Sequence, residues 1–118
     1  MKQNDLQSRL FKFSVGVIKQ VRLFPNTREY QVISYQILKS ATSVGANYEE
    51  AQAAVSNADF SNKVAISVKE IRETNYWIRI INAISKENAD WIKFEHESLE
   101  LMKILGSIHS KVSRKCKK

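Results

Sequence analysis

Two pairs of glutamates, Glu70 with Glu73 and Glu97 with Glu100, stand three residues apart. On a helix that spacing puts both carboxylates on one face, where one can act as acid and the other as base. Nothing beside them in sequence specifies a substrate. His96 and His109 raise the question of a metal, and a di-iron helix-bundle site draws its ligands from paired Glu-x-x-His elements on adjacent turns. Lys93 and Gly106 occupy the places where those glutamates would stand. Cysteines and histidines with zinc spacing, a phosphate-binding glycine loop and a nucleophile elbow are all missing from the sequence. The expectation is a non-enzymatic protein with no catalytic residues, no metal, no cofactor and no small-molecule substrate. Cys116, the only cysteine, lies among lysines and reads as an exposed, inert thiol.

The remaining chemistry is cationic. The formal charge is +7, unevenly spread. Residues 1 to 48 carry seven basic and two acidic side chains, residues 49 to 110 seven and ten, and residues 111 to 118 five and none. Such a balance suits a polyanionic partner, RNA or DNA, and equally suits a protein whose charge only keeps it soluble. The candidate phosphate contacts are Lys12, Lys19 and Arg22, with the C-terminal cluster Lys111, Arg114, Lys115, Lys117 and Lys118. No base-reading motif accompanies them, so contacts would be distributed and weakly selective.

Helices must position these groups. Three glycines and one proline in 118 residues are too few for the turns of a sandwich or barrel, so the fold class expected is all-α. Leu6, Leu10, Phe13, Val17, Val21 and Phe24 recur at helical spacing over about residues 5–24, up to Pro25. Asn26 with Glu29 resembles a capping box, followed by a stripe from Tyr30 through Ile33, Ile37, Ala41, Val44, Tyr48 and Ala51. Ser56 with Asp59 gives the next start, before Phe60, Val64, Val68, Ile71, Asn75 and Ile78; the polar run 85–88 then makes a turn. Trp91, Phe94, Leu101, Leu105, Ile108 and Val112 define the fourth helix. Short connections make the arrangement an antiparallel up-down-up-down four-helix bundle over residues 1–112, with 113–118 as a basic C-terminal tail. The second and third helices are expected to be somewhat longer than the first and fourth. The N-terminus MKQNDLQSRLFKF lacks a signal-peptide core, and no later stretch approaches a membrane span. A cytoplasmic protein without a membrane partner is expected.

Two helices carry more apolar surface than a core uses. Phe11, Val15 and Ile18 widen the first helix's apolar arc to roughly 200°, beyond the ~100° that a surface helix needs. In the third, Ile66, Glu70, Glu73, Trp77, Ile80 and Ile84 form a second stripe. Either it is a solvated face with scattered apolar residues, or it is a packed surface whose carboxylates meet hydrogen-bond partners. The small-residue run 40–46 in the second helix suggests close backbone approach, since Gly45 alone costs about 1 kcal/mol there. Beside it, Gln36, Ser43, Asn47 and Glu50 line a polar edge that could partner Glu70 or Glu73. Apolar faces of this extent are satisfied most simply by self-association.

The stretches QILKSATSVGANYEEA (36–51), SNADF (56–60) and KEIRETNYW (69–77) closely resemble a bacterial family. These are the four-helix-bundle proteins first noticed as reading frames in intervening sequences of 23S ribosomal RNA genes, also called S23 ribosomal protein-like. Ser43, Asn47, Glu50, Phe60, Glu70, Glu73 and Trp77 fall in the expected order. Glu50-Ala51 departs from the Glu-Gly found in many members, a change that a helix tolerates. The resemblance implies a cytoplasmic homopentameric ring of largely unknown function without established enzymatic activity. A distant relative, the accessory variability protein of diversity-generating retroelements, is a basic pentamer that binds nucleic acid, which favours structured RNA as the ligand.

Overall fold

The computed structural model describes the backbone of residues 3–116 and the side chains of residues 5–115. It contains α1 (Gln3–Val21), α2 (Arg28–Gln52), α3 (Asn57–Ile84) and α4 (Ala89–Cys116). Short polar side chains write the helix starts. The Ser56 hydroxyl accepts the Asp59 N–H at 3.0 Å, and the Asp59 carboxylate accepts the Val55 N–H at 3.2 Å. Two otherwise orphaned donors are thereby satisfied, with aspartate doing the usual work of glutamate. At α2 the cap is Thr27, which accepts from Tyr30 N–H, and not Asn26. The Asn26 amide oxygen is occupied by the Gln31 side chain at 2.7 Å. Asn88 accepts the Asp90 N–H where α4 begins.

Helices adjacent in sequence are adjacent in space: α1 packs on α2, α2 on α3 and α3 on α4, while α4 returns more sparsely to α1. Diagonal pairs do not approach. This is the square of an up-down-up-down four-helix bundle, about 50 Å long and 24 by 20 Å across. The core takes the stripes that the periodicity marks. Leu6, Leu10, Phe13, Val17 and Val21 of α1 are buried against Ile33, Ile37, Ala41, Val44 and Tyr48 of α2, Val64, Ile71 and Ile78 of α3, and Trp91, Leu101 and Leu105 of α4.

Two expectations about α4 are corrected. It has 28 residues, as many as α3 and more than α2 with 25, so it is not a short helix. It also runs past Val112 through Cys116, which makes most of the basic segment helical. The segment 111–116 contains neither glycine nor proline, cations suit the negative end of the helix dipole, and Ser113 ties the last turn down. Its hydroxyl lies 3.3 Å from that of Ser61 on α3 and 3.2 Å from His109 Nε2.

Small residues in α2 admit helices on both of its flanks. On one, Ser14 of α1 donates to the Ala41 carbonyl at 3.1 Å, and a Cβ added to Gly45 would lie 3.6 Å from Leu10 Cβ. On the other, Ser67 of α3 donates to the Val44 carbonyl at 2.8 Å and Thr74 donates to the Ser40 hydroxyl at 2.9 Å. The close approach suggested by the small-residue run is present on both sides. Polar groups this deep must be paired, and these are.

Candidate nucleic-acid interface and assembly surfaces

Among the described residues, the cations singled out from sequence are exposed, and they fall into separate groups. Lys12 faces α4 in a groove of about 350 Å³ lined by Arg9, Lys12, Phe13, Lys93, Phe94 and Glu97. Arg9 is neutralised there, because its guanidinium grips Glu97 through two bonds of 2.6 and 2.7 Å. The Glu97 bonds and charge hold Arg9 protonated, raising its pKa against the opposing effect of burial. That leaves Lys12 and Lys93 as the groove's uncompensated charges. Sequence reasoning did not find Lys93, since only the antiparallel return of α4 brings it beside Lys12. Lys19 near the end of α1 and Arg22 just past it are exposed about two to three turns farther along, where Gln20 donates to Asp90 at 3.1 Å. Lys111, Arg114 and Lys115 project from the last turns of α4, at the other end of the bundle. Lys117 and Lys118 lie outside the described residues. Among the described residues, Arg9–Glu97 is the one ion pair.

The surplus apolar face of α1 is real but uneven. Phe11 is 70% exposed, while Val15 and Ile18 are half-buried. With Gln7, Ser14, Thr42, Gly45, Ala46 and Glu49, Phe11 lines an apolar groove of about 240 Å³ between α1 and α2.

Along α3, Glu70, Glu73, Trp77 and Ile80 are half-buried, whereas Ile66 and Ile84 are exposed. The stripe therefore divides between the two alternatives left open by its sequence. Glu73 accepts a bond of 3.2 Å from Trp77 Nε1, one turn along the same helix. Glu70 receives no such bond among the described residues, and burial with the neighbouring Glu73 charge pushes its pKa up, only partly offset by Lys69 and Lys39. The polar edge of α2 does not reach across as suggested. Asn47 donates instead to the carbonyl and hydroxyl of Ser43, both at 2.9 Å, and Glu50 is exposed. A side-chain amide one turn from a hydroxyl finds its own helix first. Phe60 packs half-buried at the edge of the core.

For catalysis and metals the geometry offers little. Glu97 is committed to Arg9, Glu100 is exposed, and no cluster of three or more potential metal ligands occurs among the described residues. No described helix is long and apolar enough to cross a membrane.

Comparison with known proteins is consistent with this architecture. The family model described as 23S rRNA-intervening sequence protein matches residues 2–107. A crystal structure from Bacteroides thetaiotaomicron, of a protein of unknown function from the S23 ribosomal protein family, superposes with a TM-score of 0.83. The two share 35% identity, over 93% of this chain and 99% of that one. No curated protein matches the sequence.

Proposed function

The chain belongs to the 23S rRNA-intervening sequence protein family, and from that premise we propose that it is a non-enzymatic, oligomeric adaptor that binds structured RNA through a distributed basic surface. Five copies in a closed ring is the assembly that the family resemblance favours. One observation carries the reading: Lys12, Lys19, Arg22, Lys111, Arg114 and Lys115 stand exposed, without a carboxylate in ion-pair range among the described residues. Because α4 stays helical through Cys116, the last three are displayed on a docked helix and not on a loose tail. Such cations release condensed counterions when they meet phosphates, which gives affinity without sequence reading. A ring multiplies a weak site, since one RNA spanning several subunits gains avidity without any new kind of contact.

A second reading, a structural self-assembly module that binds no nucleic acid, is supported by the exposed Phe11 groove and the half-buried Trp77 stripe. A titration of labelled structured RNA at low and physiological salt, with mass by light scattering in parallel, separates the two. We expect an oligomer whose RNA affinity falls steeply with salt. Replacing Lys111, Arg114 and Lys115 by glutamine should reduce the slope by about 0.7 to 0.9 per lost phosphate contact. Substitution is preferable to truncation at Ser110, which would also remove the Ser113 contact with α3. An oligomer that binds no RNA at low salt leaves the structural module as the reading. A monomer at micromolar concentration removes the ring.

A further inference from the structure

Lys69, Arg72, Tyr76 and Arg79 recur on α3 at intervals of three, four and three, which places them on one outward stripe about 15 Å long. All four are exposed, Tyr76 by 49%. None of the three cations has a carboxylate in ion-pair range among the described residues. Of the two acids adjacent to them in sequence, Glu73 turns to Trp77 on the neighbouring face, and half-buried Glu70 feels the Lys69 charge without forming an ion pair with it.

What distinguishes this stripe from an ordinary solvated face is how Arg79 is held. Its Nε donates to Asn75 Oδ1 at 3.0 Å. Asn75 is 5% exposed, and its amide nitrogen donates to the Ser98 hydroxyl of α4 at 2.9 Å. Ser98 is buried in turn and donates to the Glu95 carbonyl at 2.7 Å. A relay of buried polar groups across the α3–α4 seam thus ends in a surface guanidinium. On its other side the guanidinium carbon lies 5.6 Å from the centre of the Tyr76 ring. With Nε engaged inside, the two terminal nitrogens of this exposed side chain carry the group's remaining donors. An arginine immobilised in this way has already lost much of the side-chain freedom that binding would otherwise cost, and its fork matches the geometry of a phosphate.

We propose that Arg79, with Lys69, Arg72 and Tyr76, forms a binding site for single-stranded RNA on α3, distinct from the cations of α1 and α4. Arg79 clasps a phosphate, Arg72 and Lys69 follow the backbone, and an unpaired base stacks on Tyr76. Aromatic rings interleaved with cations are the arrangement by which proteins hold single strands, because every base has a face to stack while phosphates meet the charges. This inference rests on the RNA-binding reading and assigns it a second, differently built site.

The test uses the full chain with two labelled probes, a mixed-sequence single-stranded RNA of about 20 nucleotides and the corresponding blunt duplex, over a range of salt. Arg79→Gln should weaken single-strand binding by about tenfold and flatten its salt dependence by about one phosphate contact. Arg79→Lys keeps the charge but loses the fork, and should recover only part of the affinity. Tyr76→Leu should weaken single-strand binding by about five- to a hundredfold while leaving the duplex unaffected. Melting curves confirm that these surface variants are folded. Wild-type protein that binds RNA, with all three variants matching it, overturns this site and leaves the general reading intact. Loss confined to oligomer mass, with RNA affinity unchanged, would overturn it too and reassign the stripe to a protein contact. Wild-type protein that binds neither probe at low salt removes both readings.

Discussion

Between α2 and α3, small hydroxyls line the seam: Ser67 reaches the Val44 carbonyl and Thr74 reaches Ser40, with all of these residues buried. Between α1 and α4 the join is made at the rim. Arg9 grips Glu97 with side chains still 28% and 30% exposed, Gln20 reaches Asp90, and the Phe13 and Phe94 rings meet edge to face at 6.0 Å. Gly16 permits that aromatic contact, since a Cβ there would fall 2.9 Å from the tip of the Phe94 ring. The first seam is dry, close and intolerant of volume. The second is looser, partly wet and dependent on charge. One bundle can thus have a fixed three-helix part, α2–α3–α4, and a fourth helix fastened to it mainly by α2.

The comparison breaks most readily at the dry seam. Ser67→Leu adds three carbons at a fully buried position and removes the bond to the Val44 carbonyl, so stability should fall by about 1 to 3 kcal/mol, or more if α2 cannot shift. Urea unfolding gives the value. A loss below about 0.5 kcal/mol, the range of ordinary surface substitutions, would mean that the seam is not tightly packed.

A smaller effect is expected at the wet seam. Arg9→Ala should cost about 0.5 to 1 kcal/mol at low salt, because a two-bond pair this exposed is screened by water and Glu97 can resolvate when its partner is removed. The cost should shrink at high salt. A loss as large as that of Ser67→Leu, insensitive to salt, would make the α1–α4 join as rigid as the other.

Glu70, at the edge of the α2–α3 seam, sharpens the contrast through pH. Burial and the Glu73 charge raise its pKa in the folded chain, so the folded state keeps its proton to higher pH than the unfolded state does. Ionisation therefore disfavours folding as pH rises through and above the ordinary carboxylate range, and has no such effect below it. Glu70→Gln should raise the melting temperature slightly at neutral pH, the gain vanishing in acid. A loss at neutral pH would instead mean that the Glu70 charge has a partner in the assembled protein.

Much of the fold was legible because apolar periodicity and end caps are local signals. The stripes of α1 and α2 became buried faces, and the Ser56–Asp59 cap formed as its spacing specified. The candidate interface was less legible. Lys12, Lys19 and Arg22 could be recognised as outward cations on one helix, but the α4 groove beside Lys12 and the relay behind Arg79 join residues far apart in the chain. The basic run after Val112 looked like a tail because charge suggests solvent, whereas its backbone had no reason to leave the helix.

The sequence by itself determined four helices, their inward faces and the short turns that force their antiparallel order, because each depends on residues within a few turns of one another. It also determined a positive surplus of charge. Tertiary structure alone decided which charges are cancelled. Arg9 and Glu97 are 88 residues apart and neutralise one another only because α4 returns beside α1, while Asn75 meets Ser98, and through it steadies Arg79, only because α3 and α4 pack. Partners across a seam are chosen by the register of two packed helices, and neither helix encodes that register alone.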